Sequence, residues 1–142
     1  LSKFGVKTQK FRSTANAIYS RFEKDRTAVE LEVSLRAFKN PVVSSYEKSD
    51  GTTIDIFTPS AEELLVEKLT AFKNRKLVRD IYDVFYLSGF VSVDKTFSKN
   101  IAKLLLDLPR PIDEQNLKNL VLSGAVPSFE QMAGVLNRRF LK

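Results

Sequence analysis

The arrangement in this sequence that is most able to do chemistry is a lysine set into an apolar helical stripe. At about 100° per residue in a helix, Lys68 shares its side with five apolar residues, Ala61, Leu64, Leu65, Leu69 and Phe72. A buried ammonium group needs an anionic partner or a path to water, because leaving it unpaired is costly. Two interpretations follow: a lysine that snorkels to solvent at the edge of the stripe, or one aimed into a cleft to meet a carboxylate or a ligand phosphate.

Further charges follow Lys68 closely. Asp80 lies four residues after Lys76, and Asp83 lies four residues after Arg79, so we expect two i,i+4 ion pairs on one helix. From the spacing alone, a solvated, salt-bridged helix face is the more common explanation of these pairs. No acid interrupts the basic residues of this stretch, which are Lys68, Lys73, Arg75, Lys76 and Arg79. Such a cluster would suit an anionic ligand.

Two carboxylates also recur on a predicted strand. Glu30 and Glu32 lie two residues apart, so they project from the same face of that strand. Carboxylate oxygens can hold a divalent metal ion. A solvated strand face is the more common explanation, and both interpretations stay open.

Composition excludes whole classes of chemistry. The 142 residues include no cysteine and no histidine, which removes disulfides, thiol and imidazole catalysis, and the usual zinc and haem ligands. A bound divalent metal would be an oxygen-liganded ion such as magnesium or manganese. The net charge of +6 lies mostly in the first third of the chain, where basic and aromatic residues interleave. That region could follow a phosphate backbone or form ordinary solvated strand faces.

The chain carries no targeting signal that we recognise. No apolar run reaches the ~20 residues of a membrane span, and no signal peptide opens the sequence. We therefore expect a cytoplasmic protein without a membrane partner. Because the sequence starts at Leu1 and not at methionine, we also expect a fragment or a processed product.

The first part of the chain is predicted to be strand-rich. Residues 17–23 and 28–35 flank a plausible hairpin turn at residues 24–27. Residues 42–46 should pair with residues 52–57 across the turn sequence Ser-Asp-Gly.

From Thr58 the hydrophobic period changes from that of a strand to that of a helix. Two apolar stripes on opposite sides predict two helices, at about residues 59–73 and 76–88, since one straight helix cannot bury both. The break between them could bring Lys68 and Asp80 together. Later helices are predicted at residues 99–106, 113–122 and 128–140. We expect one compact α+β unit, strand-rich over residues 1–57 and helical over residues 58–142.

The helical pair carries a recurrent motif. Residues 62–71 have the form E-x-L-x-x-x-K-x-x-A, Arg75 follows, and residues 79–87 read R-D-x-x-D-x-x-x-L. This combination resembles the nucleotidyltransferase toxins of the AbiEii/AbiGii abortive-infection family, which are similar to polymerase-β-type enzymes. Residues 30–36 resemble a core strand of that family, and residues 120–130 resemble its late helix, turn and helix.

The resemblance implies a partial nucleotidyltransferase-like mixed β-sheet followed by a C-terminal helical bundle. It also implies an enzyme that uses magnesium to transfer a nucleotide from a nucleoside triphosphate to an acceptor such as tRNA, with a cognate antitoxin as partner. By this resemblance the catalytic residues are Glu32, Lys68 and Asp80, with Glu32 as a metal ligand. The nucleotide would be held by Lys68, Arg75, Arg79 and Asp83.

One motif of the family is missing. Its Asp-x-Asp strand, which supplies the principal metal ligands, would precede Leu1, and no Asp-x-Asp occurs anywhere in the chain. We therefore expect little or no transfer activity from this polypeptide alone. The alternative is a catalytically dead nucleotidyltransferase-like module that binds nucleic acid or protein.

Overall fold

The computed structural model describes residues 2–37 and 39–141. The chain divides into two compact units, Leu1–Lys39 and Asn40–Lys142. The second unit combines a strand pair with all the α-helices, so this division falls before the predicted change from strands to helices.

The first unit is a three-stranded antiparallel sheet in the order β1 (Lys7–Ser13), β2 (Ala17–Lys24) and β3 (Thr27–Ser34). The predicted hairpin between β2 and β3 is confirmed. Its two-residue turn has positive φ at both Asp25 and Arg26, which matches the right-handed twist of the flanking strands. Strand β1 is not predicted by the sequence pattern, because it is polar except for Phe11 and every one of its residues is exposed.

The second unit begins with the antiparallel pair β4 (Val42–Glu47) and β5 (Thr53–Thr58), as predicted. Its turn is closed by Asp50, whose carboxylate accepts hydrogen bonds from the backbone N–H and the hydroxyl of Thr52. Because of these bonds, the pKa of Asp50 is lower than its ordinary value. Gly51 supplies the left-handed backbone, at φ +79°, that this turn requires.

A helical hairpin follows, formed by α1 (Ala61–Arg75) and α2 (Val78–Ser88). The Ser60 hydroxyl caps α1 by accepting from the Glu63 N–H, which satisfies one of the free donors at a helix start. The predicted break between the two helices is confirmed. Helix α1 ends because Lys76 adopts the left-handed conformation and donates its N–H to the Phe72 carbonyl.

Three more α-helices follow in the described part of this unit, α3 (Lys95–Leu105), α4 (Leu117–Leu120) and α5 (Phe129–Phe140). Helix α3 starts before the predicted position because Asp94 caps it. Helix α5 begins with the capping box of Ser128 and Gln131 that the sequence indicates.

The helix predicted at residues 113–122 is wrong in length. The chain there forms a 3-10 turn, Glu114–Asn116, and then the four residues of α4. The carboxylates of Asp113 and Glu114 cap other helices, and Val121 is already extended. Leu122 is 99% exposed, so no packing extends α4 past Leu120.

Among the described residues, the buried apolar core is helical except for Val91. Its largest fully buried side chains are Phe72, Leu65, Leu69, Ile81, Ile101, Leu117, Met132 and Leu136. Helix α2 packs against both α1 and α5, and α5 also contacts α3. The α+β class is confirmed, and no helix in the described ranges is long and apolar enough to cross a membrane.

Candidate functional site

The helical hairpin of α1 and α2 brings four of the predicted site residues into two ion pairs. Lys68 lies in the middle of α1, and its Nζ is 2.5 Å from Oδ2 of Asp83 on α2. The two side chains are 40% and 39% exposed. Lys68 therefore meets a carboxylate, as one of the two interpretations of the stripe requires, while the pair stays open to water.

The second pair joins Arg75, at the end of α1, to Asp80 in the first turn of α2. Nη2 donates to Oδ1 at 2.7 Å and Nε donates to Oδ2 at 3.2 Å, which is the two-point geometry that favours arginine over lysine. The Asp80 side chain is only 1% exposed, whereas that of Arg75 is 49% exposed. Asp80 is thus a buried anchor, and about half of the Arg75 side chain stays exposed to solvent.

The i,i+4 ion pairs expected within one helix are wrong. Lys76 is the C-cap of α1 and precedes α2, so it does not share a helical face with Asp80. Arg79 is exposed, and Asp83 is paired with Lys68. The two carboxylates face α1, because the break between the helices folds α2 back against α1.

Asp113 is a structural contributor that the sequence reasoning missed. Its carboxylate accepts the Val78 N–H at 2.7 Å, and the neighbouring Ile112 N–H donates to the Lys76 carbonyl at 2.9 Å. The available signal was Leu77, which precedes α2 and has no side-chain acceptor to cap it. An acceptor from elsewhere in the chain was therefore required.

The exposed cations at the α1–α2 break form an open basic surface. Lys76 and Arg79 are exposed and form no ion pair within the described part of the chain. Lys73 is half-buried, and its ammonium makes one long contact, 3.5 Å, to the Leu106 carbonyl. The α1–α2 hairpin can therefore present several hydrogen-bond donors to an anion, with two of its cations held in place by carboxylates.

Glu32 lies in the other unit, on β3 opposite Tyr19 of β2. It borders a shallow cavity of about 330 Å³ together with Lys10, Arg21 and Glu30. Glu30 forms an ion pair with Arg21, at 2.8 Å between Nη1 and Oε1. The two glutamates predicted to project together therefore differ in their partners. Glu30 is paired, whereas Glu32 forms no ion pair within residues 2–37 and 39–141.

The donor set does not fit a complete magnesium site. Over the described ranges, no group of three or more aspartate, glutamate, histidine or cysteine residues is placed to hold a metal ion. A lone Glu32 would provide one oxygen ligand toward the octahedral shell that magnesium demands. We therefore assign no metal-dependent step to the residues of this chain, and the role of Glu32 as a metal ligand stays a prediction.

Comparison with known proteins gives one match, to a family model. No curated protein and no solved structure matches the chain. A family model described as nucleotidyl transferase AbiEii toxin, type IV TA system, matches residues 2–125. This range includes both sheets, α1 and α2, and the mixed α+β architecture is consistent with a partial nucleotidyltransferase fold. Because this match spans most of its length, the chain belongs to the AbiEii nucleotidyl transferase toxin family.

Proposed function

We propose that the α1–α2 hairpin binds the phosphates of a nucleoside triphosphate. Family membership supports a nucleotidyltransferase-type function, and nucleotidyltransferases in general use a nucleoside triphosphate and a divalent metal. The observation that carries the proposal is the pair of half-exposed cations, Lys68 and Arg75, each held by a carboxylate on α2. Seven residues apart, they lie on one face of α1, separated by roughly 10 Å along its axis.

The two ion pairs support different roles for their carboxylates. Asp80 is too buried to reach a ligand, so we assign it as a positioning residue that fixes Arg75 through two hydrogen bonds. Asp83 shares a solvent-accessible pair with Lys68, and such a pair is weak enough for a phosphate to replace the carboxylate as the partner of the ammonium. Arg79, exposed on α2, would add a third cation.

The acceptor and the partners belong to the same proposal. We propose tRNA as the acceptor, a cognate antitoxin as the protein partner and magnesium as the metal ion of the reaction, and Glu32 stays a proposed metal ligand. All of these rest on the family, whereas action in the cytoplasm was expected from the sequence and stays a prediction. Since the sequence has no Asp-x-Asp, we also propose that this polypeptide by itself transfers little or no nucleotide. A binding module without catalysis is the second candidate, and the same missing motif favours it.

A nucleotide-binding measurement tests the proposal without requiring turnover. Each of the four common nucleoside triphosphates is titrated into the full chain with magnesium present, and into the Lys68→Ala variant. We expect Lys68→Ala to weaken binding by about 10-fold or more, the effect of losing one charge-assisted hydrogen bond. The matched control is Lys103→Ala, which removes an exposed lysine from α3. Equal affinities for the wild-type chain and Lys68→Ala would refute the site.

A transfer assay separates the two candidate functions. The full chain is incubated with labelled nucleoside triphosphates, magnesium and total tRNA, with Lys68→Ala as the background. We expect no labelling above that background. Incorporation of label by the wild-type chain that Lys68→Ala abolishes would contradict the proposed inactivity and establish a complete enzyme.

A further inference from the structure

A basic cavity lies between α3 and α5, and no residue of the α1–α2 ion pairs lines it. It has a volume of about 540 Å³, within the size range of small-molecule sites. Its polar lining comes from Asp94, Lys95, Ser98 and Lys99 at the start of α3 and from Arg139 near the end of α5. The rest of the lining is apolar. Three cations thus border one cavity that contains a single acid.

The positions of Lys95 and Lys99 are unfavourable for the stability of α3. Lys95 and Lys99 are one turn apart, both are exposed, and α3 includes no acidic residue. Like charges at i,i+4 repel each other, and a cation in the first turn opposes the helix dipole. Sites where a sequence breaks local rules in this way are often functional. An anion in the cavity would relieve both repulsions.

Arg139 adds an independent sign of a missing partner. Its Nη2 donates to the Val91 carbonyl at 2.9 Å, which anchors the guanidinium at the edge of the cavity. Its Nε is buried and has no acceptor among the described residues, although buried polar groups are nearly always hydrogen-bonded. A ligand oxygen would supply the acceptor that this N–H lacks.

The single acid is already engaged. The Asp94 carboxylate accepts the Phe97 N–H at 2.7 Å and so caps α3, and its charge is therefore directed at the helix start. Ser98 lines the cavity and its hydroxyl donates to the Asp94 carbonyl at 2.7 Å. The three cations therefore give the cavity a positive electrostatic potential.

We propose that this cavity binds a phosphate group, carried by a nucleotide or by a nucleic-acid strand. Phosphate matches the combination of one arginine and two lysines. Arg139 lies outside the residues that the family model matches, 2–125, and the cavity shares no residue with the α1–α2 ion pairs. It is therefore a site distinct from the proposed nucleoside triphosphate site.

Calorimetric titration of the full chain in the absence of magnesium tests this site. The probes are inorganic phosphate, AMP and a short single-stranded RNA oligonucleotide. We expect Lys95→Gln/Lys99→Gln to weaken binding by at least about tenfold, since it removes two charge-assisted contacts. The matched control, Lys103→Gln/Lys118→Gln, removes the same charge from exposed lysines outside the cavity and should change affinity by less than about twofold.

The outcomes assign the source of the phosphate and can overturn the site. Similar binding of phosphate and AMP would identify the phosphate group itself as the ligand, whereas binding of RNA alone would identify a backbone. Binding should persist in the full chain carrying Lys68→Ala, and its loss there would assign the phosphate to the α1–α2 site instead. Equal weakening by the two double variants, or no binding of any probe, would overturn the proposal.

Discussion

The two ion pairs of the α1–α2 hairpin look alike in sequence but differ in burial. Removing the Arg75 side chain leaves the carboxylate of Asp80, which is 1% exposed, without its two hydrogen bonds. Removing Lys68 leaves Asp83 at a site already open to water. Burial therefore decides which pair stabilises the fold and which is free to exchange partners.

This difference predicts unequal losses of stability. Arg75→Ala should lower the free energy of unfolding by roughly 2–3 kcal/mol, because a buried charge loses its partner. Lys68→Ala should lower it by less than about 1 kcal/mol, as expected of exposed pairs. Urea denaturation followed by circular dichroism measures both. Equal losses for the two variants would show that burial does not separate the pairs.

At the same scale, the sequence indicated that the charged residues of the α1–α2 hairpin form pairs, but it did not indicate the correct partners. The apolar stripe correctly marked Lys68 as needing a partner, and it meets Asp83. Spacing along a single helix then suggested Lys76 with Asp80 and Arg79 with Asp83. Both pairs failed because the left-handed conformation of Lys76 turns α2 back on α1, so that contacts across helices replace contacts along one.

At the scale of elements, patterns with a clear period or cap were predicted and the others were not. The α1–α2 break, the two hairpins and the capping box of α5 all follow from local residues. Strand β1 and the shortened helix at residues 113–122 do not, because their conformations depend on a neighbouring strand and on caps donated to distant helices. Asp113, for example, caps α2 from a distant part of the chain, and the residues of α2 alone do not predict such a contact.

The cap supplied by Asp113 should be measurable. Asp113→Ala removes the acceptor of the Val78 N–H and should lower the free energy of unfolding by about 1 kcal/mol, the usual value of an N-cap. Asp113→Asn keeps an acceptor oxygen and serves as the matched control, with a smaller loss. Thermal unfolding of the two variants gives the comparison, and indistinguishable melting temperatures would exclude a capping role.

A substitution at the end of α1 is expected to raise the free energy of unfolding instead of lowering it. Lys76 has φ +57°, a conformation that glycine adopts without strain. Lys76→Gly should therefore raise the free energy of unfolding by about 0.5–1 kcal/mol, and Lys76→Val should lower it. Both changes remove the same charge, so only backbone preference separates them. A lower stability for the glycine variant than for the valine variant would contradict the assignment of this break.

At the scale of the whole molecule, the buried apolar core of the described residues lies in the helices and not in the sheets. Large apolar side chains of both sheets are exposed, among them Phe11, Val29, Val43 and Phe57, while the buried core belongs almost entirely to α1 to α5. The family motif was predictable because its residues lie close together in the sequence, on α1 and α2. A full metal site was not, because within residues 2–37 and 39–141 no three aspartate or glutamate residues are placed to hold a metal ion.

Lys68 and Arg75 are proposed to contact the phosphates of a nucleotide. The most direct test is to titrate a nucleoside triphosphate, diphosphate and monophosphate into the full chain and into Lys68→Ala. We predict that affinity falls as phosphates are removed, and that Lys68→Ala weakens triphosphate binding by about 10-fold but changes monophosphate binding much less. Affinity that is independent of the number of phosphates, or unchanged by Lys68→Ala, would contradict the claim.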